Sequence, residues 1–211
     1  MEGIASITLA DLDAAAELGY RVKLLGVAVR TDAGIEQRVH PTMVPKESAI
    51  AQVMGVTNAV TVDANGLSPI TLVGPGAGGM ATASAVVSDL ADIARGVRTP
   101  PFGQPAARMT AVRKAPMQRH EGGYYIRLMA RDRPGSAATI ARRLAQRQIS
   151  LESIVQRHES RSQDAGKSGD PVPVILITYA TTEDAVHKAL AAVRRDRVIS
   201  GRPQVIRIEK N

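Results

Sequence analysis

From Tyr124 onward this 211-residue chain runs through six segments whose order leaves few folds open. Tyr124 to Arg131 alternates as a strand, Asp132-Arg133-Pro134-Gly135 turns, and Ser136 to Gln148 sets Ala137, Ile140, Ala141 and Leu144 on one helical face. Ile149 to His158 reads as a second strand, the polar stretch Glu159 to Asp170 as a loop, and Val172 to Tyr179 as a third strand. Thr182 to Asp196 predicts a helix with Ala185, Val186, Ala189, Leu190 and Val193 inward, and Gln204 to Glu209 closes the set. The succession β-α-β-β-α-β specifies a ferredoxin-like sandwich.

The preceding residues follow another rule. Thr8-Leu9-Ala10-Asp11 reads as an N-cap with an acid three positions on, and Gly19 as the stop of a helix of about ten residues. Tyr20 to Val29 is β-rich, Thr31-Asp32-Ala33-Gly34 turns, and Ile35 to Val44 returns, so a hairpin is expected. A second hairpin, Asn58 to Val62 with Pro69 to Val73, flanks the tight-turn signal Asn65-Gly66. The fold class expected for the whole is therefore α+β, a mainly antiparallel sheet domain with helices over 1–94 and the ferredoxin-like domain over 124–211. Residues 95–123, with Pro100-Pro101, Gly103, Pro105, Pro116 and Gly122-Gly123 among six basic residues, read as a linker.

The chemistry concentrates at Gly74 to Arg95, where G-P-G-A-G-G-M-A-T-A-S-A-V-V opens an amphipathic helix. Glycines let backbone approach a ligand closely, and the helix behind them points unpaired N–H groups and a positive dipole end at that ligand. A phosphate or ribose suits such a place. A dinucleotide fingerprint, however, opens a βαβ unit and has an acid about 20 positions later, whereas everything before Gly74 reads as antiparallel. The turn is therefore expected to complete a cofactor site whose other residues lie elsewhere.

Four segments in register, Glu17 to Ala28 (E-L-G-Y-R-V-K-L-L-G-V-A), Arg38 to Lys46 (R-V-H-P-T-M-V-P-K), Gly55 to Val60 (G-V-T-N-A-V) and Gly74 to Val87, resemble the later part of bacterial homoserine dehydrogenases. Asp132 to Gly135 and Gln148 to Gln156 (Q-I-S-L-E-S-I-V-Q) resemble the amino-acid-sensing ACT domain. The resemblance implies a portion of an enzyme that interconverts L-homoserine and L-aspartate 4-semialdehyde with NADP or NAD, on the route to threonine and methionine. It places a contact to the nicotinamide cofactor at Gly78, with Gly76 and Gly79 beside it. The family's nucleotide-binding fingerprint and its Asp and Lys of hydride transfer are expected before Glu2, so no catalytic residue is assigned here and the chain alone is expected to be inactive. A non-catalytic amino-acid-sensing or truncated protein is the alternative.

In the ACT region the resemblance implies a small amino-acid effector, threonine as the pathway's end product. Asp132 would meet its ammonium, Gly135 and Ser136 its carboxylate, and Ser153, Ile154 and Val155 of a neighbouring copy would close the pocket. The chain departs from the commoner P-G-V/I-L-A by reading P-G-S-A-A at Pro134 to Ala138, which shrinks the pocket lining. Asp132 acting only as a turn and cap residue is the plainer reading.

Composition narrows the partners. The formal charge of +7 is uneven: 1–94 holds five basic and ten acidic residues, 95–123 six and one, and 124–211 sixteen and nine. Basicity spread over linker and helices, without a DNA- or RNA-reading motif and with 2% aromatic residues, excludes nucleic acid as the expected partner. No run of about 18 apolar residues predicts a membrane span. Zero cysteines remove disulfides and thiolate chemistry, and a cytoplasmic location is expected. His40, His120, His158 and His187 lack partners at metal-ligand spacing, so no metal is expected. Thr82 and Ser84 read as helix-start caps, and Lys23 as facing solvent or an interface. Apolar residues on both pleat faces of the first hairpin, such as Leu24 with Leu25, predict a homodimer or larger oligomer.

Overall fold

The computed structural model describes residues 3–100, 102–115, 121–156 and 171–209, which fall into two compact units: 1–29, 36–46 and 116–211 in one, 30–35 and 47–115 in the other. The loop expected over 159–170 lies outside the described residues.

The first unit is built on one sheet. Helix α1 (Leu9–Glu17) precedes the hairpin strands β1 (Tyr20–Thr31) and β2 (Gly34–Pro45), whose outermost residues belong to the second unit. Then come β5 (Glu121–Arg131), α3 (Ser136–Ala145), β6 (Leu151–Gln156), β7 (Pro171–Thr178), the two-residue β8 (Thr181–Thr182), α4 (Glu183–Arg195) and β9 (Ile199–Ile208). The order β9-β5-β7-β6, all antiparallel, is the ferredoxin-like arrangement. Beyond it β2 joins β9 in parallel, Thr42 opposite Arg207 and Met43 opposite Ile208, so β1 and β2 extend the same sheet.

Alternation explains how one strand serves two cores. Tyr124, Ile126 and Leu128 of β5 face α3 and α4, packing with Ile140, Leu144, Val186, Leu190 and Val193. Tyr125 faces the other way, joining Ile175, Ile177, Ile206 and Ile208 beneath Ala14 and Ala15 of α1 and beside Met43 of β2. The Thr182 hydroxyl accepts the Ala185 N–H at 3.3 Å, capping α4, while Glu183 and Asp184 occupy its first turn.

The structure lengthens several expected elements. β9 starts at Ile199, five residues before the expected Gln204, through Gly201 and Pro203, and its register with β5 shifts between Arg127 and Met129. That bulge absorbs residues that read as breakers. β5 begins at Glu121 because Gly123 permits close packing: a Cβ there would sit 3.1 Å from the Thr178 carbonyl oxygen.

In the second unit β3 (Thr57–Ala64) and β4 (Leu67–Pro75) form a separate antiparallel hairpin closed by Asn65-Gly66, with Gly66 at φ 84°. A single 3-10 turn (Ala49–Gln52) precedes it and α2 (Gly79–Ala94) follows it. Farther on, a 3-10 turn (Ala106–Arg108) leads to Lys114, which bridges Ile35; the Ile35 N–H donates to the Arg113 carbonyl at 2.9 Å. A side chain at Gly34 would strike that carbonyl.

Candidate functional site

The glycine turn leaves β4 and enters α2, and its four glycines have different tasks. Gly78 sits at φ 127° and ψ 146°, a conformation essentially restricted to glycine, and occupies the N-cap of α2. A Cβ at Gly76 would coincide with the carboxamide of Asn58 on β3, an exposed side chain that would have to swing aside to admit it. Around Gly74, Gly78 and Gly79 a Cβ would meet nothing within 4 Å. Gly79 is simply the first residue of the helix.

No side chain caps α2. The Thr82 hydroxyl, expected as a cap, instead donates to the Gly78 carbonyl at 3.1 Å, one turn back along the helix. Ser84 lies inside α2, past its first turn. The first N–H groups thus open onto uncluttered space. Gly74, Gly76 and Gly79 keep the spacing G-x-G-x-x-G, but the strand before them pairs antiparallel in a two-stranded hairpin, so this is not the opening of a βαβ unit.

In the ferredoxin-like domain Gly135 takes the left-handed conformation, φ 88°, as the N-cap of α3. Ser136 is buried, and its N–H already donates to the Arg133 carbonyl at 3.1 Å. The Asp132 carboxylate is exposed beside this turn. Ser153 and Val155 are half-buried on β6, at the end of the described sheet, while Ile154 is 57% exposed on the opposite face.

Sequence reading missed the polar contacts that tie the first helix and hairpin to the sheet. Asp11, read only as a capping acid, is fully buried. Its carboxylate accepts from Thr8 N–H at 2.9 Å, Thr8 Oγ1 at 2.7 Å, Tyr125 Oη at 3.0 Å, Arg127 Nε at 2.7 Å and Arg127 Nη2 at 3.0 Å. Burial works to raise its pKa, but these donors outweigh it and hold the carboxyl below the usual carboxylate range. Burial, with the Asp11 charge beside it, pushes the Tyr125 phenol well up.

A second network lies at the junction of β2 with β9. Arg38 donates to Glu36 Oε1 at 2.8 Å, Glu209 Oε1 at 3.0 Å and Nε2 of the buried His40 at 3.1 Å. Because Arg38 donates to Nε2, the His40 proton sits on Nδ1, facing the Pro41 carbonyl and the Thr42 hydroxyl. Among the described residues no three His, Asp or Glu side chains gather as a metal site. Lys23 is half-buried, and burial followed by the nearby Arg21 lowers its pKa. An open depression of about 530 Å³ is lined by Arg147, Lys188, Arg194 and Arg195. It lies near the C-terminal ends of α3 and α4, where cations answer the helix dipoles.

Residues 1–91 match the family described as homoserine dehydrogenase, and residues 124–197 match the ACT domain. A homoserine dehydrogenase of Pseudomonas aeruginosa is 40% identical over 216 residues, covering 99% of this chain and 48% of the relative. One from Neisseria gonorrhoeae is 38% identical, with the same shares. The crystal structure of a homoserine dehydrogenase from Thiobacillus denitrificans superimposes with a TM-score of 0.80 at 38% identity, over 99% of this chain and 47% of that one. A Staphylococcus aureus homoserine dehydrogenase, 21% identical with a TM-score of 0.62, shares the fold. One chain thus joins a homoserine dehydrogenase family region to an ACT domain, and is similar to homoserine dehydrogenases over 99% of its length. It spans about half the length of the curated relatives it matches.

Proposed function

We propose that this chain forms part of an NAD(P)-dependent homoserine dehydrogenase that interconverts L-homoserine and L-aspartate 4-semialdehyde in threonine and methionine biosynthesis, feedback-regulated through its ACT domain. The observation that carries the reading is the tandem of the two family regions, with 40% identity to a homoserine dehydrogenase across 99% of the chain. The parts are a catalytic and dimerisation portion over 1–94, a linker over 95–123 and the regulatory domain over 124–211, in a cytoplasmic homodimer or larger assembly.

The glycine turn fits a nicotinamide cofactor: it offers open space around Gly78 and Gly79 and an uncapped helix start. Gly76, Gly78 and Gly79 form one wall of a site that other residues of the enzyme complete. When bound, the cofactor supplies hydride chemistry. Here the backbone shapes the approach, Gly78 holding a path no other residue adopts without strain and Thr82 tying the first helical turn back to it. In the regulatory part, Asp132 and the N-terminal turn of α3 receive the ammonium and carboxylate of an amino acid, threonine as end product.

The test is homoserine-dependent reduction of NADP and NAD by the full-length enzyme, with and without L-threonine. Activity that threonine suppresses is the expected result. An inactive full-length enzyme that still binds an amino acid would instead mark a sensing protein.

A further inference from the structure

The cofactor reading leaves one side chain at the glycine turn without a task. Asn58 lies on β3 directly opposite Gly74 of β4, and its carboxamide fills the space that a side chain at Gly76 would need, with even Oδ1 only 3.1 Å from that point. An amide laid flat against a backbone turn normally hydrogen-bonds to it. The Asn58 carboxamide makes no hydrogen bond to any described residue, and it is exposed. Its two donors and its acceptor therefore lie over the open space at Gly76 and remain chemically free. The other polar side chain at the turn, Thr82, already spends its hydroxyl proton on Gly78.

The remaining surroundings define what could use such a group. Beyond Asn58, the same face of the hairpin carries only apolar residues: Val60 opposite Leu72 and Val62 opposite Ile70, all more than half exposed. A neutral amide at the edge of an apolar strip adds no charge to attract phosphate, yet matches a planar group bearing one acceptor and one donor. The carboxamide of a nicotinamide ring is such a group.

Resting on the dehydrogenase reading above, we infer that Asn58 is a cofactor-binding residue whose carboxamide, seated on Gly76, pairs with the carboxamide of the nicotinamide ring. Gly76 is then glycine so that Asn58 can lie there, and Gly78 so that the chain can enter the helix. The two glycines serve the ligand by different routes.

The experiment uses the full-length enzyme and the variants Asn58→Leu and Asn58→Asp, which keep the branched shape and remove or alter the amide. NADPH binding is followed by its fluorescence, and turnover is measured with NADP and with its 3-acetylpyridine analogue, which lacks the amide NH₂. The native enzyme is expected to favour NADP over the analogue at least tenfold in kcat/KM. Asn58→Leu should bind NADPH at least tenfold more weakly, with kcat within about twofold, and should lose that preference. A separate thermal-unfolding cycle tests the packing: Gly76→Ala should lower Tm in the native background and not beside Asn58→Ala. Should Asn58→Leu fail to fold, Asn58→Asp supplies the same binding and analogue comparison. Unchanged NADPH affinity, or an analogue preference that survives in the variants, would overturn the assignment while leaving the dehydrogenase reading intact. A native enzyme that neither binds nor reduces NADP or NAD would sink both, and is recognised before any variant is made.

Discussion

Arg127 grips the carboxylate of Asp11 across 116 positions of chain, Nε to Oδ1 at 2.7 Å and Nη2 to Oδ2 at 3.0 Å, and so fastens α1 to β5. Ile7 and Leu18 pack at the two ends of the helix, but within it the apolar share of that attachment is small. Ala14 and Ala15 are the buried apolar residues of the helix, and an alanine methyl contributes about 1 kcal/mol or less. A buried ion pair broken from one side costs about 3–5 kcal/mol. Removing Arg127 strands a fully buried carboxylate, whereas removing Asp11 leaves an arginine that already reaches solvent. Arg127→Ala should therefore destabilise the chain by about 3–5 kcal/mol and Asp11→Ala by roughly half as much. Asp11→Leu combined with Arg127→Met should recover most of the loss. Urea unfolding checks the order, and equal losses for the two single variants would refute it.

The acid limb of the stability curve should carry the mark of His40. Burial lowers its pKa from 6.5, assisted by Arg207 and Arg38, while the Pro41 carbonyl and Glu209 pull the other way. The unfolded chain therefore takes up the proton more readily than the folded one. Stability from the neutral ring is complete above about pH 6.5 and is lost as pH falls toward the lower folded value. Asp11 acts in the same direction in a separate window, its contribution lost only as pH falls below the ordinary carboxylate value of 3.8. His40→Gln should flatten the unfolding free energy between pH 5 and 7 and leave the loss below pH 4 in place. An unchanged slope in that first window would show that another group titrates there.

Much of this was legible because it is local. The capping box at Thr8 and Asp11, the Asn65-Gly66 hairpin and the alternation of β5 all follow from residues close in sequence. What was hidden depends on distance along the chain. Nothing near Asp11 announces Arg127, and no periodicity in R-V-H-P-T-M says that Thr42 will lie beside Arg207 in a parallel pairing. The site glycines were visible as a group, but their separate roles were not. Gly76 is explained by Asn58 eighteen positions earlier, and Gly78 by a torsion that composition does not encode.

That division of roles makes its own prediction. Gly78→Ala forces an L-residue to φ near 127° and should cost about 1–3 kcal/mol. Gly79→Ala adds a methyl to open space at the first helical position, so its stability should equal or slightly exceed that of the native chain. Thermal unfolding of the two variants separates them, and similar losses would mean the turn relaxes as a whole.

The apolar face of the β3-β4 hairpin should be hidden in an oligomer. Val60, Leu72, Val62 and Ile70 stand in two cross-strand pairs, 51–66% exposed in the single chain. Patches of this kind mark interfaces. Light scattering at micromolar concentration should give at least twice the chain mass of 22.3 kDa, and Val60→Lys with Leu72→Glu should lower the mass. A native monomer would count against the assembly proposed above.

The effector site offers the sharpest test of the regulatory reading, since the structure narrows how an amino acid can be held. The Ser136 N–H is committed to the Arg133 carbonyl, so a carboxylate must use Gly135 or the N–H groups beyond Ser136, at a helix start that no side chain caps. The Asp132 carboxylate, exposed beside this turn, remains for the ammonium. Ser153, Ile154 and Val155 lie on β6, the last strand of the described sheet, where a second copy can close the pocket. Small residues Ser136, Ala137 and Ala138 leave room for a compact ligand such as threonine. Calorimetric titration of L-threonine into the chain should release heat that L-threoninamide, lacking the carboxylate, does not. Asp132→Ala should weaken binding at least tenfold, the loss of one charge-assisted hydrogen bond, without changing the unfolding midpoint. Ile154→Lys should weaken it together with self-association. Equal affinity after Asp132→Ala would return that carboxylate to the plain role of a turn residue, and no heat with the native chain would remove threonine as the effector.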